Sequence, residues 1–172
     1  MLAGIKRMQN NMSEKKRILF VCLGNICRSP MAEGVFAHKV NERGLANEYI
    51  IDSAGVAGYH IGELPDSRMR QHAWQRGYRL ESRARQVKTD DFFEFDYIMA
   101  MDDNNYDALC SMAPTTETEK KVKKMAHYCR QHKADHVPDP YYGGAAGFQL
   151  VIDLLEDACD NLLNEIENTK TH

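Results

Sequence analysis

Arg17-Ile18-Leu19-Phe20-Val21-Cys22 runs directly into Leu23-Gly24-Asn25-Ile26-Cys27-Arg28-Ser29-Pro30, and the meeting of these two stretches decides the fold. The first is continuously apolar, the pattern of a strand buried on both faces of a parallel sheet. From Ser29 onward the apolar residues fall at helical spacing, Met31, Val35, Phe36 and Val40, until Gly44 stops them. Ser29 is expected as the helix N-cap. Pro30 then takes the first helical position, where its missing N–H costs nothing.

Working outward, the alternation repeats. Residues 48–52 read as a second strand, ended by Ser53-Ala54-Gly55, and Asp66 is placed to cap a helix that ends at Gly77. Residues 96–101 form another buried-type strand, followed by a helix of acidic start over 102–111. A weaker strand is expected over 124–129, and the run 117–124, which alternates in sign, reads as a solvated face. Phe148, Val151, Ile152, Leu155, Cys159, Leu162 and Ile166 mark a final amphipathic helix. Strands alternating with helices imply a single α/β domain: a small parallel sheet of about four strands, with helices on both faces. The expected boundaries are a polar, unpatterned tail over residues 1–16 and the domain over 17–168. Met12 is an alternative start.

The chain has 172 residues, 43% apolar and 27% charged, with a formal net charge of −3. The length fits one domain of about 150 residues that buries a core without metal or disulfide staples. The charge balance argues against nucleic-acid binding by a whole-domain positive field, while leaving room for a local basic pocket. No apolar run approaches the length of a membrane span, and residues 1–13 lack a signal-peptide core, so a cytoplasmic protein is expected. Five cysteines without an export signal read as reduced thiols, one of them a candidate for reactivity.

That candidate is Cys22. It sits where a buried strand meets a helix start, whose unpaired N–H groups and dipole suit an anion. Gly24 lets the loop bend, and Asn25 tolerates a left-handed backbone. The five residues between Cys22 and Arg28 can wrap one tetrahedral oxyanion, and the Arg28 guanidinium can clamp two of its oxygens. The same positive field favours a thiolate at Cys22. A thiolate beside a bound phosphoryl group is a nucleophile in place.

Residues 21–33, Val-Cys-Leu-Gly-Asn-Ile-Cys-Arg-Ser-Pro-Met-Ala-Glu, resemble the phosphate loop of the low-molecular-weight protein tyrosine phosphatases, and Asp139-Pro140-Tyr141-Tyr142 resembles that family's general-acid loop. Element order is similar over residues 17–166. The resemblance implies that Cys22 attacks phosphorus, that Arg28 and the loop (Leu23, Gly24, Asn25, Ile26, Cys27) hold the phosphoryl oxygens, and that Asp139 protonates the leaving phenolate. It also implies that Ser29 stabilises the Cys22 sulfur and that Asn25 and Ser53 brace the loop. Leu23, Ile26, Tyr59, Tyr141 and Tyr142 match the walls of a slot deep enough for a phenyl ring. Ile26 favours phosphotyrosine, since related phosphoarginine phosphatases carry Thr there. Cys27 is implied as the partner of Cys22 in a reversible, protective disulfide.

The implied substrate is a phosphotyrosine-bearing protein, with a tyrosine kinase as the pathway counterpart, no nucleic acid, no cofactor and no metal, acting as a monomer or weak dimer. Two other functions share these residues. A thiol-dependent arsenate reductase needs further redox cysteines near residues 80–90, and residues 80–89 contain none. A phosphate-binding module without turnover would lack the nucleophile or the acid, and both are present. Spacing also allows a metal site at Cys129, His132 and His136, without an evident fourth ligand.

Overall fold

The computed structural model describes residues 15–141 and 143–170. Strands β1 (Lys16–Cys22), β2 (Tyr49–Gly55), β3 (Tyr97–Ala100) and β4 (Val122–Lys124) form one sheet in the order β2-β1-β3-β4, every pair parallel. Among the described residues, six α-helices flank it: α1 (Arg28–Glu42), α2 (Ser67–Gln75), α3 (Thr89–Glu94), α4 (Asp103–Met112), α5 (Thr116–Glu119) and α6 (Ala145–Lys170). The expected tail falls almost wholly outside the described residues; Lys16 opens β1.

The alternation of side chains along a strand divides the core in two. Ile18, Phe20 and Cys22 of β1, with Met99 of β3, face Met31, Val35 and Phe36 of α1 and Phe148, Val151, Ile152 and Leu155 of α6. Leu19 and Val21, with Ile98 and Ala100, face Phe92 of α3 and Leu109 of α4. Helices therefore cover both faces, which is why β1 reads as an unbroken apolar run. Asp66 caps α2 as expected, accepting from the N–H of Arg68 and Met69.

Three local expectations are corrected. Helix α1 begins at Arg28 with Cys27 at its N-cap, so Ser29 lies inside the first turn, where its hydroxyl caps no helix N–H and lies 3.0 Å from Cys22 Sγ. Residues 124–129 are not a strand: β4 ends at Lys124 and a 3-10 turn covers Met125–Tyr128. Residues 117–124 are not simply a solvated face, because they hold most of α5 and all of β4 and bury Thr118 and Val122. No helix among the described residues is long and apolar enough to cross a membrane.

One buried carboxylate supports the region that reaches the site. Asp157 of α6 accepts from the backbone N–H groups of Arg130, Gln131 and His132 at 2.9–3.1 Å. Further along that segment, Val137 donates its N–H to the Met101 carbonyl. Burial alone would raise the Asp157 carboxyl, but the His132 and Arg130 N–H groups outweigh it and hold it below the usual carboxylate range. A depressed folded value contributes stability above the ordinary carboxylate pKa, and that stability is lost as pH falls through the folded value. Asp157→Ala is expected to cost about 3 kcal/mol at neutral pH by stranding three N–H donors, and to flatten the acid side of the stability profile. Denaturant titration across pH measures both; a loss below about 0.5 kcal/mol would show that the donors find other partners.

Candidate active site

An open parallel sheet binds ligands beyond the carboxyl ends of its strands, at the point where strand order reverses. Here that point lies between β1 and β3, so Cys22, at the end of β1, and Asp102, just past β3, face the same crevice.

The loop 23–27 is held from outside. The carbonyls of Cys22, Leu23 and Ile26 accept from the N–H groups of Val56, Ala57 and Asp66 at 2.7–2.9 Å, and the Asn25 side-chain oxygen accepts from the N–H of Arg85. Gly55 allows this close approach, since a Cβ there would lie 2.8 Å from the Leu23 carbonyl. Asn25 takes the left-handed conformation, φ 60°. Among the described residues, no partner is found for the N–H groups of residues 23–27. A ring of free amides at a helix start suits a tetrahedral oxyanion.

Below the loop, Ser29 Oγ lies 3.0 Å from Cys22 Sγ, and Asn25 Nδ2 donates to both Ser29 and Ser53. Arg28 is buried, with a side-chain exposure of 3%, and a buried charge needs compensation. It donates to Asp102 Oδ2 at 2.6 Å and to the Val137 carbonyl at 3.1 Å, and Asp139 Oδ2 stands 3.8 Å from its other nitrogen. The second oxygen of Asp102 caps α4 through the N–H of Asn105. Asp102 thus aims the guanidinium. The sequence reading placed it only as an acidic helix start; its position at the end of a central strand was the available signal.

The cavity above the loop measures about 240 Å³ and is lined by Cys22, Leu23, Gly24, Ile26, Cys27, Arg28, Tyr59, His60, Asp139 and Tyr141. Every pocket residue expected from sequence is therefore brought together, except Tyr142, which lies outside the described residues; Asn25, Ser29 and Ser53 lie beneath. His60 was missed, and no pattern marks it; its ring nitrogen meets Glu63 at 2.5 Å. Arg68 was missed as well. It bonds the Asp66 carboxylate and the Tyr141 carbonyl, while Tyr141 N–H donates to Asp139 Oδ1, so the acid-bearing segment is tied to the segment that holds the loop. A larger groove of about 620 Å³ beside Trp74 holds no thiol and no buried cation, so volume alone does not locate the chemistry. Cys27 is buried, and its thiol is pushed far up by that burial, with the charges of Asp66, Cys22 and Asp139 adding to it.

Fold and site define a doubly wound α/β protein with a thiol-bearing oxyanion cradle at its strand-order switch. Residues 17–172 match the family model described as low molecular weight phosphotyrosine protein phosphatase. The chain belongs to that family, hydrolases of the protein-tyrosine-phosphatase class. A low molecular weight protein-tyrosine-phosphatase of Bacillus subtilis is 41% identical over 154 residues, covering 89% of this chain and 97% of the relative. A crystal structure of a protein tyrosine phosphatase from Entamoeba histolytica superposes with a TM-score of 0.89 at 49% identity, covering 91% of this chain and 99% of the other. A structure described as a Drosophila arginine phosphatase gives 0.81 at 34% identity, covering 87% and 96%.

Proposed function

We propose that the protein hydrolyses phosphotyrosine in proteins, and small aryl phosphates, through a phosphocysteine at Cys22. The observation that carries this is the assembly, around one slot, of a thiol, a buried guanidinium, free loop amides and a carboxylate at the mouth. The Cys22 sulfur attacks phosphorus and the P–O bond to the ring breaks, while Asp139 gives its proton to the departing phenolate. Water then attacks phosphorus and gives a proton back to Asp139. The P–S bond breaks, and inorganic phosphate leaves. Arg28 and the amides of residues 23–27 hold charge on the three equatorial oxygens in both steps. Ser29 Oγ stabilises sulfur as nucleophile and as leaving group. The substrate arises from tyrosine phosphorylation of a protein, the work of a kinase.

Leu23, Ile26, Tyr59 and Tyr141 make the slot apolar along its sides, which suits a flat ring and keeps the short phosphoserine from the loop. The fold also serves the protein described as an arginine phosphatase, and Ile26 separates the two substrates by offering no hydroxyl to a phosphoguanidinium. Peptides carrying phosphotyrosine, phosphoserine or phosphoarginine in one sequence context decide this. Phosphotyrosine should exceed the others in kcat/KM by about 10²-fold or more; phosphoarginine preferred would overturn the reading. An arsenate reductase is not favoured: Cys110, Cys129 and Cys159 are all absent from the lining of the slot, and residues 80–89 supply no thiol.

Cys27 is proposed as the redox partner. Peroxide oxidises the Cys22 thiolate to a sulfenic acid; the Cys27 thiol then attacks that sulfur, water leaves, and a disulfide forms. The repulsion that helps hold Cys27 as a thiol in the resting enzyme includes the Cys22 charge, which oxidation removes. Dithiothreitol should restore peroxide-treated enzyme, and Cys27→Ser should recover poorly. Full recovery of the variant, with no linked peptide by mass spectrometry in the wild type, would reduce Cys27 to a packing residue.

A further inference from the structure

Glu33 closes the motif and has no part in the chemistry above, yet the hydrogen-bond chain beneath the loop ends on it. Donor counting fixes the direction of that chain. The backbone N–H of Arg85 can only donate, so the Asn25 oxygen faces it and the Asn25 NH₂ group faces the two serines. Its two hydrogens go to Ser29 Oγ at 2.8 Å and Ser53 Oγ at 3.0 Å. Each serine therefore accepts from Asn25 and has its own proton to give. Ser53 gives its proton to Glu33 Oε1 at 2.5 Å. Ser29 chooses between Cys22 Sγ at 3.0 Å and the Ala54 carbonyl at 3.4 Å, and a thiolate is the nearer and more strongly accepting partner. Asn25, Ser29 and Ser53 are all buried, with at most 3% exposure, so bulk water does not compete.

We propose that Glu33 is a positioning residue for the Cys22 sulfur, the terminal acceptor that makes the chain from Ser53 through Asn25 and Ser29 deliver a hydrogen bond to that sulfur. The proposal rests on the reading of Cys22 as nucleophile. Without an acceptor at position 33, the buried Ser53 proton has no partner and Ser53 holds Asn25 less firmly. Asn25 sits in the left-handed conformation, and its side chain ties the loop to Arg85, Ser29 and Ser53, so a loosened side chain leaves the loop and the Ser29 proton undirected. Burial raises the Glu33 carboxyl, which makes its oxygen a more basic acceptor for Ser53; Asp52 adds to the rise, while Ser53, Ser82 and Arg85 oppose it. The two branches diverge from the Asn25 amino group, so Glu33 acts on the sulfur by fixing where Asn25 and Ser29 sit, not by polarisation along one line of bonds.

The test follows alkylation of Cys22 by iodoacetate across a pH series in the full chain, read on the Cys22 peptide by mass spectrometry, together with kcat for an aryl phosphate. Glu33→Met, nearly the same shape without the acceptor, should move the alkylation midpoint to higher pH and lower kcat about tenfold. Loss of the Glu33 charge acting through space would move the midpoint the other way. Glu33→Gln, which keeps an acceptor oxygen, should stay within about threefold of wild type. In a Ser53→Ala background, where the chain is already cut, Glu33→Met should add less than about twofold. An unchanged or lowered midpoint in Glu33→Met, or a full additional loss in the Ser53→Ala background, would overturn the proposal. Should Glu33→Met not fold, Glu33→Ala takes its place with the same readout. A wild-type Cys22 alkylated no faster than Cys129 would instead sink the nucleophile assignment, and the proposal with it.

Discussion

Cys22→Ser should abolish turnover of phosphotyrosine while leaving the protein able to bind inorganic phosphate. The loop amides, the helix start and Arg28 are untouched by the change, and these are the groups proposed to meet the oxyanion. What disappears is the proposed nucleophile: an alcohol is far harder to ionise than a thiol and attacks phosphorus far more weakly. The neighbour of Cys22 Sγ is Ser29 Oγ, which itself accepts from Asn25. A loss of about 10⁴-fold or more in kcat is expected, as in other covalent enzymes stripped of their nucleophile. Calorimetric titration with phosphate should still give a binding isotherm. Turnover persisting above a trace would show that another group attacks phosphorus.

Asp139→Asn should produce a loss that depends on the leaving group. Asparagine keeps the oxygen that accepts the Tyr141 N–H, so the turn survives, but it has no proton to give. Tyrosine is a poor leaving group as its anion, and its phosphate ester should lose about 10²–10⁴-fold in kcat/KM. Nitrophenyl phosphate, whose phenolate leaves unaided, should lose far less. Plotted against leaving-group pKa, the wild type should be shallow and the variant steep. Equal losses across the series would remove Asp139 from the acid role and leave it as a counter-charge 3.8 Å from Arg28.

What was legible in the sequence was local. The run from Arg17 to Cys22, the tight loop and the helix after it lie within a few residues of one another, so spacing alone placed thiol, glycine and arginine round one point. Each buried strand could be read because both of its faces pack against helices. What sequence could not show were partners far apart along the chain. Asp102 is 74 positions from the Arg28 it aims, and Arg68 is 73 from the Tyr141 carbonyl it holds. Such pairs follow from strand order, and β1 lying between β2 and β3 becomes known only once the sheet is assembled. Ser29 was misplaced for a related reason. A serine before a proline at a helix start has the signature of a cap, but here its hydroxyl lies beside the Cys22 thiol while Cys27 occupies the cap position. The short β4 was misread because only Val122 of its three residues is buried, too little pattern to set against the 3-10 turn that follows.

The measurement that bears most directly on the mechanism is capture of the phosphoenzyme. Enzyme mixed with an aryl phosphate, quenched in acid within a turnover and digested, should yield one phosphorylated peptide by mass spectrometry, with phosphate on the sulfur of Cys22. Asp139→Asn should accumulate more of it wherever water attack on the phosphocysteine becomes the slow step. Phosphate found on another side chain, or a wild-type enzyme that turns over rapidly with no phosphopeptide at any quench time, would contradict a covalent path through Cys22.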